Sequence, residues 1–374
     1  MQPLDDITIL DFSTLLPGPM ASLLLAEAGA RVIKVERPGI GDEMRHYPPF
    51  LGGQSALFAL LNRGKESLAL DLKSPEDQAR LIPWLDRSDI LIEQFRPGVM
   101  TRMGLDYATL SQKYPRLVYC SITGYGQTGP KAQVAGHDLN YIAETGLLSL
   151  SMGPPQAPTI PPALIADIAG GAYPAVMNIL LALANRQRTG KGAHLDISMT
   201  DNLFPLVWWA LGQYAATGTA PGNADSLLNG GTARYRIYPT SDGKFLAAAP
   251  IEDRFWGNFC AAIDLAPGLH DDRKDPAQTL AAVAGIIAGQ PSAHWQKTFK
   301  NIDACCTLVA NLDQALADPH FRARGVFGYD TDLPENTALP ALPVPVAPAF
   351  RRTGEFARRF PDLDAHDPPD TECP

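Results

Sequence analysis

The first third of the chain alternates short apolar runs with amphipathic stretches, a pattern that predicts strands and helices in turn. Residues 7–13 (ITILDFS) form an apolar run with β-branched residues, and the following PMASLLLAEAGA is rich in helix formers. RVIKVERPG then predicts a second strand, which ends at Pro38–Gly39. A strand, a helix and a strand within about thirty residues predict one βαβ unit with parallel strands.

The same alternation continues along the next sixty residues. Further strands are predicted at ESLALDLKS, DILIEQF and LVYCSITGYG, and helices at SPEDQARLIPWLDRS and VMTRMGLDYATLSQKYP. Ligands of open parallel sheets bind outside the carboxyl ends of the strands. The pattern therefore predicts a ligand cleft along one edge of the sheet, lined by Arg37, Leu72–Lys73, Gln94–Arg96 and Gly124–Gly126.

A change of composition near residue 220 predicts a second, smaller domain. Before it lie a long apolar helix at about 168–188, the strand HLDISM and a second apolar helix at about 200–217. After it, TARYRIYPTSDGKFLAAAP predicts a hairpin, and helical segments continue to about residue 325. The predicted fold class is therefore α/β, with a Rossmann-like large domain on a parallel sheet and a smaller α+β domain. We predict a large domain at 1–190, a linking helix and loop at 191–224, a small domain at 225–329, and a Pro-rich tail at 330–374 that completes the large domain.

Composition and charge restrict the class of function. The chain has 374 residues, of which 45% are hydrophobic and 19% charged, as in ordinary globular proteins. Its net charge is −9 and it has no basic cluster, which argues against nucleic acid as a partner. No signal peptide precedes the first apolar run, and the apolar stretches 172–184 and 203–216 are too short to cross a membrane. We predict a cytoplasmic protein that does not insert into membranes.

Neither a metal nor a redox cofactor is indicated. The cysteines show no spacing typical of a metal site or a disulfide framework, which predicts reduced thiols at Cys120, Cys260, Cys305, Cys306 and Cys373. The first strand is not followed by GxGxxG, so an NAD site is not expected, although Glu36 stands where a ribose-binding acid would. The basic residues spread through the βαβ region suit a small phosphate-bearing ligand better than a polymer.

The stretch from Gly124 to Gly171 carries the candidate catalytic residues. His137 follows Gly136 in GHDLNY, and Asp167 stands just ahead of Gly170–Gly171 and the long apolar helix. Taken alone, each has a simpler interpretation, a histidine satisfied in a turn and an aspartate that caps a helix. Taken together, an imidazole and a carboxylate at the start of a helix are typical of proton transfer. The free N–H groups of the helix N-terminus can also stabilise an anion that forms on the substrate.

Six spaced stretches resemble the α-methylacyl-CoA racemases, within the family III CoA-transferase superfamily. They cover residues 5 to about 330 and read LLPGPMASLLLAEAGARVIKVERPG, NRGKESLALDLKSPE, EQFRPGVMTRMGL, GYGQTGPKAQVAGHDLNYIAETG, DIAGG and NGGTARYRIYPTSDGKFLAAAPIEDRFW. The His of GHDLNY is the racemase-like feature, since transferases of the superfamily usually lack it. NADSLLNGGTARY also resembles the racemases, where transferases of the formyl-CoA type carry a run of glycines.

The resemblance implies a proton-transfer pair, His137 and Asp167, on opposite faces of the α-carbon of a 2-methylacyl-CoA thioester, with Arg102 and Glu252 as accompanying active-site residues. It implies that CoA enters as part of the substrate and binds along Arg37, Leu70, Asp71, Leu72, Lys73, Gln94, Phe95, Arg96, Arg102, Gly136, His137, Asp138, Leu139, Asn140 and Tyr141. It also implies an intertwined homodimer, with each active site between the large domain of one subunit and the small domain of the other.

Two other functions stay open. A family III CoA transferase would use Asp167 as a nucleophile, forming an acyl–enzyme anhydride while CoA moves between carboxylic acids. A CoA-binding protein without catalysis would neither exchange the α-proton nor transfer CoA. His137 argues against the transferase. Two positions depart from the racemase pattern: DIAGG replaces an aromatic-then-Gly sequence, and Asp253 stands where racemases usually have Pro. The acyl group is therefore left undetermined.

Overall fold

The computed structural model describes residues 2–334, 337–352, 354 and 358–364. These residues form two compact units. The first consists of the described residues of Met1–Thr145, Pro161–Leu206 and Ala323–Pro374, and the second of Gly146–Ile160 and Val207–Arg322. The domain boundaries proposed from composition stay a prediction.

The described part of the chain contains thirteen short strands, arranged in four sheets. They are β1 (Thr8–Asp11), β2 (Arg31–Glu36), β3 (Phe50–Leu51), β4 (Gln54–Ser55), β5 (Glu66–Ala69), β6 (Ile90–Glu93), β7 (Val118–Thr123), β8 (Ala193–Ser198), β9 (Arg236–Pro239), β10 (Phe245–Ala248), β11 (Cys306–Leu308), β12 (Asp330–Leu333) and β13 (Thr337–Pro340). Strands β1, β2, β5, β6 and β7 are almost entirely buried, which explains why they are apolar runs without alternation.

Thirteen α-helices connect these strands in the same residues. They are α1 (Pro17–Glu27), α2 (Ala56–Asn62), α3 (Pro75–Leu85), α4 (Val99–Arg102), α5 (Tyr107–Lys113), α6 (Asp138–Glu144), α7 (Tyr173–Thr189), α8 (Trp208–Thr217), α9 (Asp253–Ala262), α10 (Pro276–Ala288), α11 (Ser292–Phe299), α12 (Leu312–Ala317) and α13 (Pro319–Ala323). A π-helical turn, Ala166–Ala172, leads directly into α7. Short 3-10 helices lie at Glu43–His46, Leu148–Leu150, Asp201–Val207, Leu227–Asn229, Pro267–Leu269 and Pro348–Phe350.

The first unit is built on a six-stranded parallel sheet of order β5-β2-β1-β6-β7-β8. In the central strand β1, Leu10 lies opposite Ile33 of β2 and Leu91 of β6. The strand order reverses between β1 and β6, and a crevice forms at the carboxyl edge of such a reversal. The predicted α/β fold with a parallel sheet is confirmed. Strand β8 pairs along β7 and is an edge strand of this sheet. The predicted boundaries placed its residues in the linking segment 191–224.

Helices cover the sheet on both faces. Leu10, Leu91 and Tyr119 point to one face, where they form an apolar core with Trp84 of α3 and Leu110 of α5. Successive strand residues alternate between the faces, so their neighbours along the chain point to the other side. There α1, which is buried along its whole length, packs with α7.

The π turn and α7 form one continuous helical segment, Ala166–Thr189. Among the described residues it is the helix that is long and apolar enough to cross a membrane, judged by length and composition. Core helices meet the same criteria, and nearly half of this segment is buried. Its buried residues include Ala175, Ile179 and Leu183, on the side that packs against α1, β7 and β8. In the first unit it is therefore a core helix.

One helix predicted from the sequence is divided in the structure. The predicted helix over VMTRMGLDYATLSQKYP is broken into α4 and α5. Gly104 lies between them with φ +69°, a conformation that ends a helix and favours glycine. Asp106 begins α5, because its carboxylate accepts a hydrogen bond from the Thr109 N–H at 3.1 Å. Arg102 is therefore the last residue of a single helical turn.

The second unit has its own sheet and core. Its sheet is antiparallel, in the order β11-β10-β9, and the predicted hairpin is β9–β10, with Leu246 opposite Tyr238. The turn contains Gly243 at φ +73°, where a side chain would be strained. The core contains stacked aromatic rings, among them Trp256 and Phe259.

The described part of the Pro-rich tail returns to the first unit. After the β12–β13 hairpin, Val344 packs against Leu23 and Leu24 of α1. Arg63 donates a hydrogen bond to the Leu342 carbonyl at 2.8 Å. The tail predicted to complete the large domain reaches residue 374, and its end, with Cys373, lies outside the described residues.

Four fully buried ionisable side chains lie beneath the loop that follows β1. Lys34 Nζ is 2.9 Å from a carboxylate oxygen of Asp42 and donates to the Ser13 carbonyl at 2.7 Å. Lys65 Nζ lies 3.4 Å from a carboxylate oxygen of Asp11. All four charged side chains are 0% exposed, so removal of one partner would leave an uncompensated charge in the interior.

We expect Lys34→Met to lower the free energy of unfolding by about 3–5 kcal/mol, because Asp42 would lose its buried partner. Urea unfolding followed by circular dichroism measures this change. Lys113→Met is the matched control, since it breaks the ion pair with Asp86, in which both side chains are at least half exposed. The control should unfold almost as the unmodified protein does. If both substitutions lowered the free energy of unfolding equally, the stabilising role given to the buried Lys34–Asp42 pair would be wrong.

Candidate active site

A cavity of about 480 Å³ opens at the carboxyl edge of the parallel sheet, in the first unit. The loops that follow β1, β6, β7 and β8 form it together with the start of α6 and the π turn. It is lined by Leu15, Pro17, Gln94, Phe95, Arg96, Pro97, Ile122, Thr123, Gly124, Tyr125, Ala132, Val134, Ala135, Gly136, His137, Asn140, Tyr141, Asp167 and Met199. The cavity therefore lies where the strand order reverses, at the edge of the sheet for which the sequence predicted a cleft.

Ten of the residues predicted for the cleft and the site line this cavity: Gln94, Phe95, Arg96, Gly124, Tyr125, Gly136, His137, Asn140, Tyr141 and Asp167. Both members of the predicted proton-transfer pair are among them. Asp138 and Leu139 follow in the first turn of α6 without lining the cavity, Asp138 buried and Leu139 exposed. The structure therefore groups the His–Asp pair with the turn after β6.

The other predicted CoA-binding residues lie elsewhere along the same sheet edge. Arg37 follows β2 and is paired with Glu43 at 2.9 Å, both exposed. Leu70, Asp71, Leu72 and Lys73 follow β5. Leu70 is buried, and its N–H donates to the Glu36 carbonyl at 2.9 Å. Strands β2 and β5 occupy the side of the sheet opposite to β6 and β7, so this group lies across the reversal of strand order.

The predicted residues Arg102 and Glu252 do not line the cavity. Arg102 ends α4 with an exposed side chain. Glu252 belongs to the second unit, where it is the exposed residue that precedes α9, and its side chain makes no capping bond to that helix.

His137 stands at the boundary between the Gly-rich loop and α6. Its backbone is extended, and its N–H donates to the side-chain oxygen of Asn140 at 3.0 Å. This bond orients the first turn of α6, while the exposed imidazole faces the cavity.

The glycines of the loop make room for Tyr141. The Tyr141 hydroxyl donates to the Gly136 carbonyl at 2.5 Å. A Cβ atom at Gly124 or at Gly136 would lie 2.6 Å from the tyrosine ring, which is closer than real contacts allow. Burial raises the pKa of Tyr141 to about 12, and the charge of Asp167 adds to this effect, so the tyrosine is a neutral hydroxyl in the cavity wall.

Asp167 lies in the π turn that precedes α7. Its N–H donates to a carboxylate oxygen of Asp138 at 3.0 Å, which ties the π turn to α6. Burial, together with a smaller effect of the charge of Asp138, raises the pKa of Asp167 to about 7. Near neutral pH this carboxyl group is therefore present in both its protonated and its ionised forms. π turns inside helices are frequent at functional sites.

Gly170 and Gly171 allow the chain itself to approach the π turn. A Cβ atom at Gly170 would lie 2.4 Å from the Met199 carbonyl oxygen, and one at Gly171 would lie 3.1 Å from Pro17. Asn202 donates to the Gly170 carbonyl at 2.9 Å. The start of α1 and the loop after β8 therefore lie directly against these two glycines.

The sequence analysis missed a polar cluster under the turn after β6. Glu93 accepts a hydrogen bond from the Phe95 N–H at 2.8 Å, and the Ser121 hydroxyl lies 3.0 Å from His194 Nε2. Burial raises the pKa of Glu93 to about 7, against the opposing effect of a hydrogen bond from Ser121. The sequence did contain one signal for this cluster. Glu93 ends the apolar run ILIE, and a charged residue in a buried strand seldom lacks a polar partner.

The described residues contain no group of three or more His, Cys, Asp or Glu side chains that would hold a metal ion. Cys120, Cys260, Cys305 and Cys306 are free thiols, and Cys373 lies outside the described residues. The chemistry available in the cavity is therefore that of an imidazole, a carboxyl group with raised pKa and a guanidinium group, those of His137, Asp167 and Arg96.

Comparison with known proteins places the chain in a family. The sequence pattern of CoA-transferase family III matches residues 4–367. The chain is 34% identical to an alpha-methylacyl-CoA racemase of Homo sapiens over 361 residues, which covers 93% of this chain and 89% of that protein. It is 36% identical to an acetyl-CoA:oxalate CoA-transferase of Acetobacter aceti over 337 residues, which covers 87% of this chain and 85% of that protein.

A solved structure shows the same fold. The crystal structure of a CAIB/BAIF family protein from Brucella suis superimposes with a TM-score of 0.81 at 29% sequence identity, and the match covers 98% of this chain and 97% of that one. The resemblance seen in the sequence is thus confirmed at the level of the superfamily, with a racemase and a transferase at similar identity. The chain belongs to CoA-transferase family III.

Proposed function

We propose that the protein is a cofactor-independent racemase of 2-methylacyl-CoA thioesters, which works by 1,1-proton transfer. The observation that carries this proposal is that His137 and Asp167 line the same cavity. Inversion at a carbon atom by proton transfer requires a group on each face, because a single base would return the proton to the face it came from. An imidazole and a carboxyl group with a pKa of about 7 are suited to both removing and delivering a proton.

The chemistry begins with the acidity of the substrate. The thioester makes the α-hydrogen acidic, because the charge left behind delocalises onto the thioester oxygen as an enolate. One of His137 and Asp167 removes the proton, and the other delivers a proton to the opposite face. The N–H groups at the start of the Ala166–Thr189 segment supply positive potential that stabilises the developing oxyanion. No separate cofactor takes part, since CoA enters with the substrate.

The sheet edge supports the proposed CoA site. Arg96 lines the cavity, and Arg37 and Lys73 follow strands that end at the same edge. Guanidinium and ammonium groups at this edge complement the phosphates of CoA. A cavity of about 480 Å³ is within the usual range of small-molecule sites. Arg102 and Glu252 are proposed as accompanying active-site residues on the basis of the sequence resemblance.

A CoA transferase is the second candidate. The identity to the acetyl-CoA:oxalate CoA-transferase, 36%, favours it as much as the racemase identity favours the first proposal. In this reaction the Asp167 carboxylate attacks the thioester, a C–O bond forms as the C–S bond breaks, and CoA leaves as a thiolate. The transferase needs no imidazole on the far side of the α-carbon, so His137 would have no assigned role in it.

Deuterium exchange tests the racemase directly. A single enantiomer of a 2-methylacyl-CoA, incubated with the protein in deuterated water, should take up deuterium at the α-carbon and lose optical purity. His137→Ala and Asp167→Asn should each lower the rate of racemisation at least about a hundredfold, the usual range for a general acid or base. Mass spectrometry and chiral chromatography follow deuterium and configuration together.

His46→Ala is the control for this experiment, since His46 lies outside the cavity and bonds the Ile40 carbonyl. It should racemise the substrate at the unmodified rate. If no exchange occurs, and CoA transfer appears once a carboxylic acid is supplied, the racemase proposal is wrong and Asp167 is the nucleophile.

The raised pKa of Asp167 predicts a pH-dependent stability. The folded carboxyl group keeps its proton up to about pH 7, whereas in the unfolded chain it ionises near 3.8. Between these values the folded state binds more protons, so the stability contributed by this group falls as pH rises and then levels off. Asp167→Asn should therefore gain stability relative to the unmodified protein from about pH 4 to pH 7. Urea unfolding of both proteins across this range measures the difference between their free energies of unfolding. A difference that does not change with pH would contradict the raised pKa of Asp167.

We propose, further, that the protein is a homodimer. Tyr173, Met177, Leu180 and Leu181 lie on one side of α7, and all four are more than 40% exposed. Their spacing places them on a single helix face. An apolar strip of this size on a core helix supports burial against a second subunit. Sedimentation equilibrium should give twice the mass of the chain, and Met177→Glu combined with Leu181→Glu should shift the protein toward a monomer.

Gln112→Glu is the matched control for the dimer test. It adds a negative charge to an exposed position of α5, which is outside the apolar strip of α7. The control should sediment as the unmodified protein does. A monomeric unmodified protein, or a double variant of unchanged mass, would refute the proposed interface.

A further inference from the structure

Arg234 holds both residues that flank Glu252. Its Nη1 donates to the Ile251 carbonyl at 2.9 Å and to a carboxylate oxygen of Asp253 at 2.7 Å. Ile251 and Asp253 are the neighbours of Glu252 on either side. A single guanidinium group therefore fixes the backbone before Glu252 and the side chain after it, all within the second unit.

The guanidinium group is itself held in place from its other side. Arg234 Nε and Nη2 donate to the two carboxylate oxygens of Asp272, at 2.9 Å and 2.8 Å. The guanidinium carbon (Cζ) of Arg234 lies 5.1 Å from the ring centre of Trp256. Trp256 belongs to the apolar core, and its Nε1 donates to the His270 carbonyl. A bidentate ion pair and a flat aromatic ring leave the guanidinium group little freedom to move.

Exposure distinguishes the two contacts that Arg234 makes beside Glu252. The side chains of Arg234 and Asp272 are each 12% exposed, whereas that of Asp253 is 85% exposed. Solvent screens the Asp253 contact, so this contact contributes little. The hydrogen bond from Arg234 to the Ile251 carbonyl is partly buried and therefore provides most of the restraint on the turn.

We propose that Arg234 is a positioning residue for Glu252, which it holds at the start of α9 by fixing the Ile251 carbonyl. This inference rests on the proposal that Glu252 is an accompanying active-site residue. The Glu252 side chain does not cap its own helix, so its direction depends on the backbone that Arg234 restrains. The arrangement also gives Asp253 a role: the residue that stands where racemases usually have Pro is the ion-pair partner of the same arginine.

Amide hydrogen exchange tests the restraint without reference to activity. The Ile251 N–H donates to the Ala249 carbonyl and the Trp256 N–H to the Glu252 carbonyl, both at 2.9 Å, so these two amides report on the turn. Arg234→Gln should speed their exchange about tenfold. Arg234→Lys, which keeps the charge but loses the fork of donors, should do the same if Arg234→Gln does not fold.

Arg254→Gln is the matched control, because it removes an arginine two residues from Glu252 whose ion pair with Asp303 is exposed at both ends. It should leave both amides and the activity unchanged. Unchanged exchange at Ile251 and Trp256 in both Arg234 variants would overturn the proposal, whatever the enzyme's activity.

A double-mutant cycle tests whether the restraint acts through Glu252. Arg234→Gln should lower kcat about tenfold with little change in KM. In a Glu252→Gln background the same substitution should have no further effect on kcat, because the residue it positions has already lost its function. Additive losses would overturn the proposal, since Arg234 would then act independently of Glu252.

Failure of the proposed function is distinguishable from failure of this inference. A Glu252→Gln variant with unmodified activity would remove the catalytic role assigned to Glu252, and with it the purpose of positioning it. The exchange of the Ile251 and Trp256 amides would still show whether Arg234 restrains the turn.

Discussion

The buried ion pairs beneath the loop after β1 are the constraint on which the cavity depends. Asp42, held by Lys34, accepts a hydrogen bond from the Leu15 N–H at 3.2 Å. Leu15 has φ +62°, a strained conformation for a leucine, and it lines the cavity. A desolvated lysine and aspartate are costly to separate, so they hold the loop in a conformation that its own residues disfavour. The shape of the cavity wall thus depends on charges that never contact its contents.

The turn after β6 depends on buried polar groups in a similar way. Gln94 accepts a hydrogen bond from the Gly18 N–H at 3.0 Å, which joins this turn to the start of α1. Glu93 holds the Phe95 N–H from below. Both contacts hold a backbone N–H group, and the neighbouring Arg96 lines the cavity. In the second unit, Arg234 fixes the backbone beside Glu252 in the same manner.

The environment of Asp167 is compatible with both candidate reactions. Burial and a neighbouring carboxylate raise the pKa of Asp167 to about 7, so the group exists as an acid and as a base under the same conditions. A carboxylate in this position suits either proton transfer or attack on a thioester. The difference between the two candidate reactions therefore depends on what faces Asp167 across the cavity. In this chain His137 lines the same cavity.

The sequence alone determined the parallel sheet, the edge at which the cavity opens and ten of the nineteen residues that line it, because buried strands are continuous apolar runs and ligand sites lie at the ends of such strands. Six spaced stretches of sequence indicated the family, which the comparisons confirm. The tertiary structure alone decided the pKa of Asp167, the partners of Gly170 and Gly171, the buried Glu93 and the contacts of Arg234. Each of these depends on residues far apart in the chain, and burial and proximity do not exist before the chain folds.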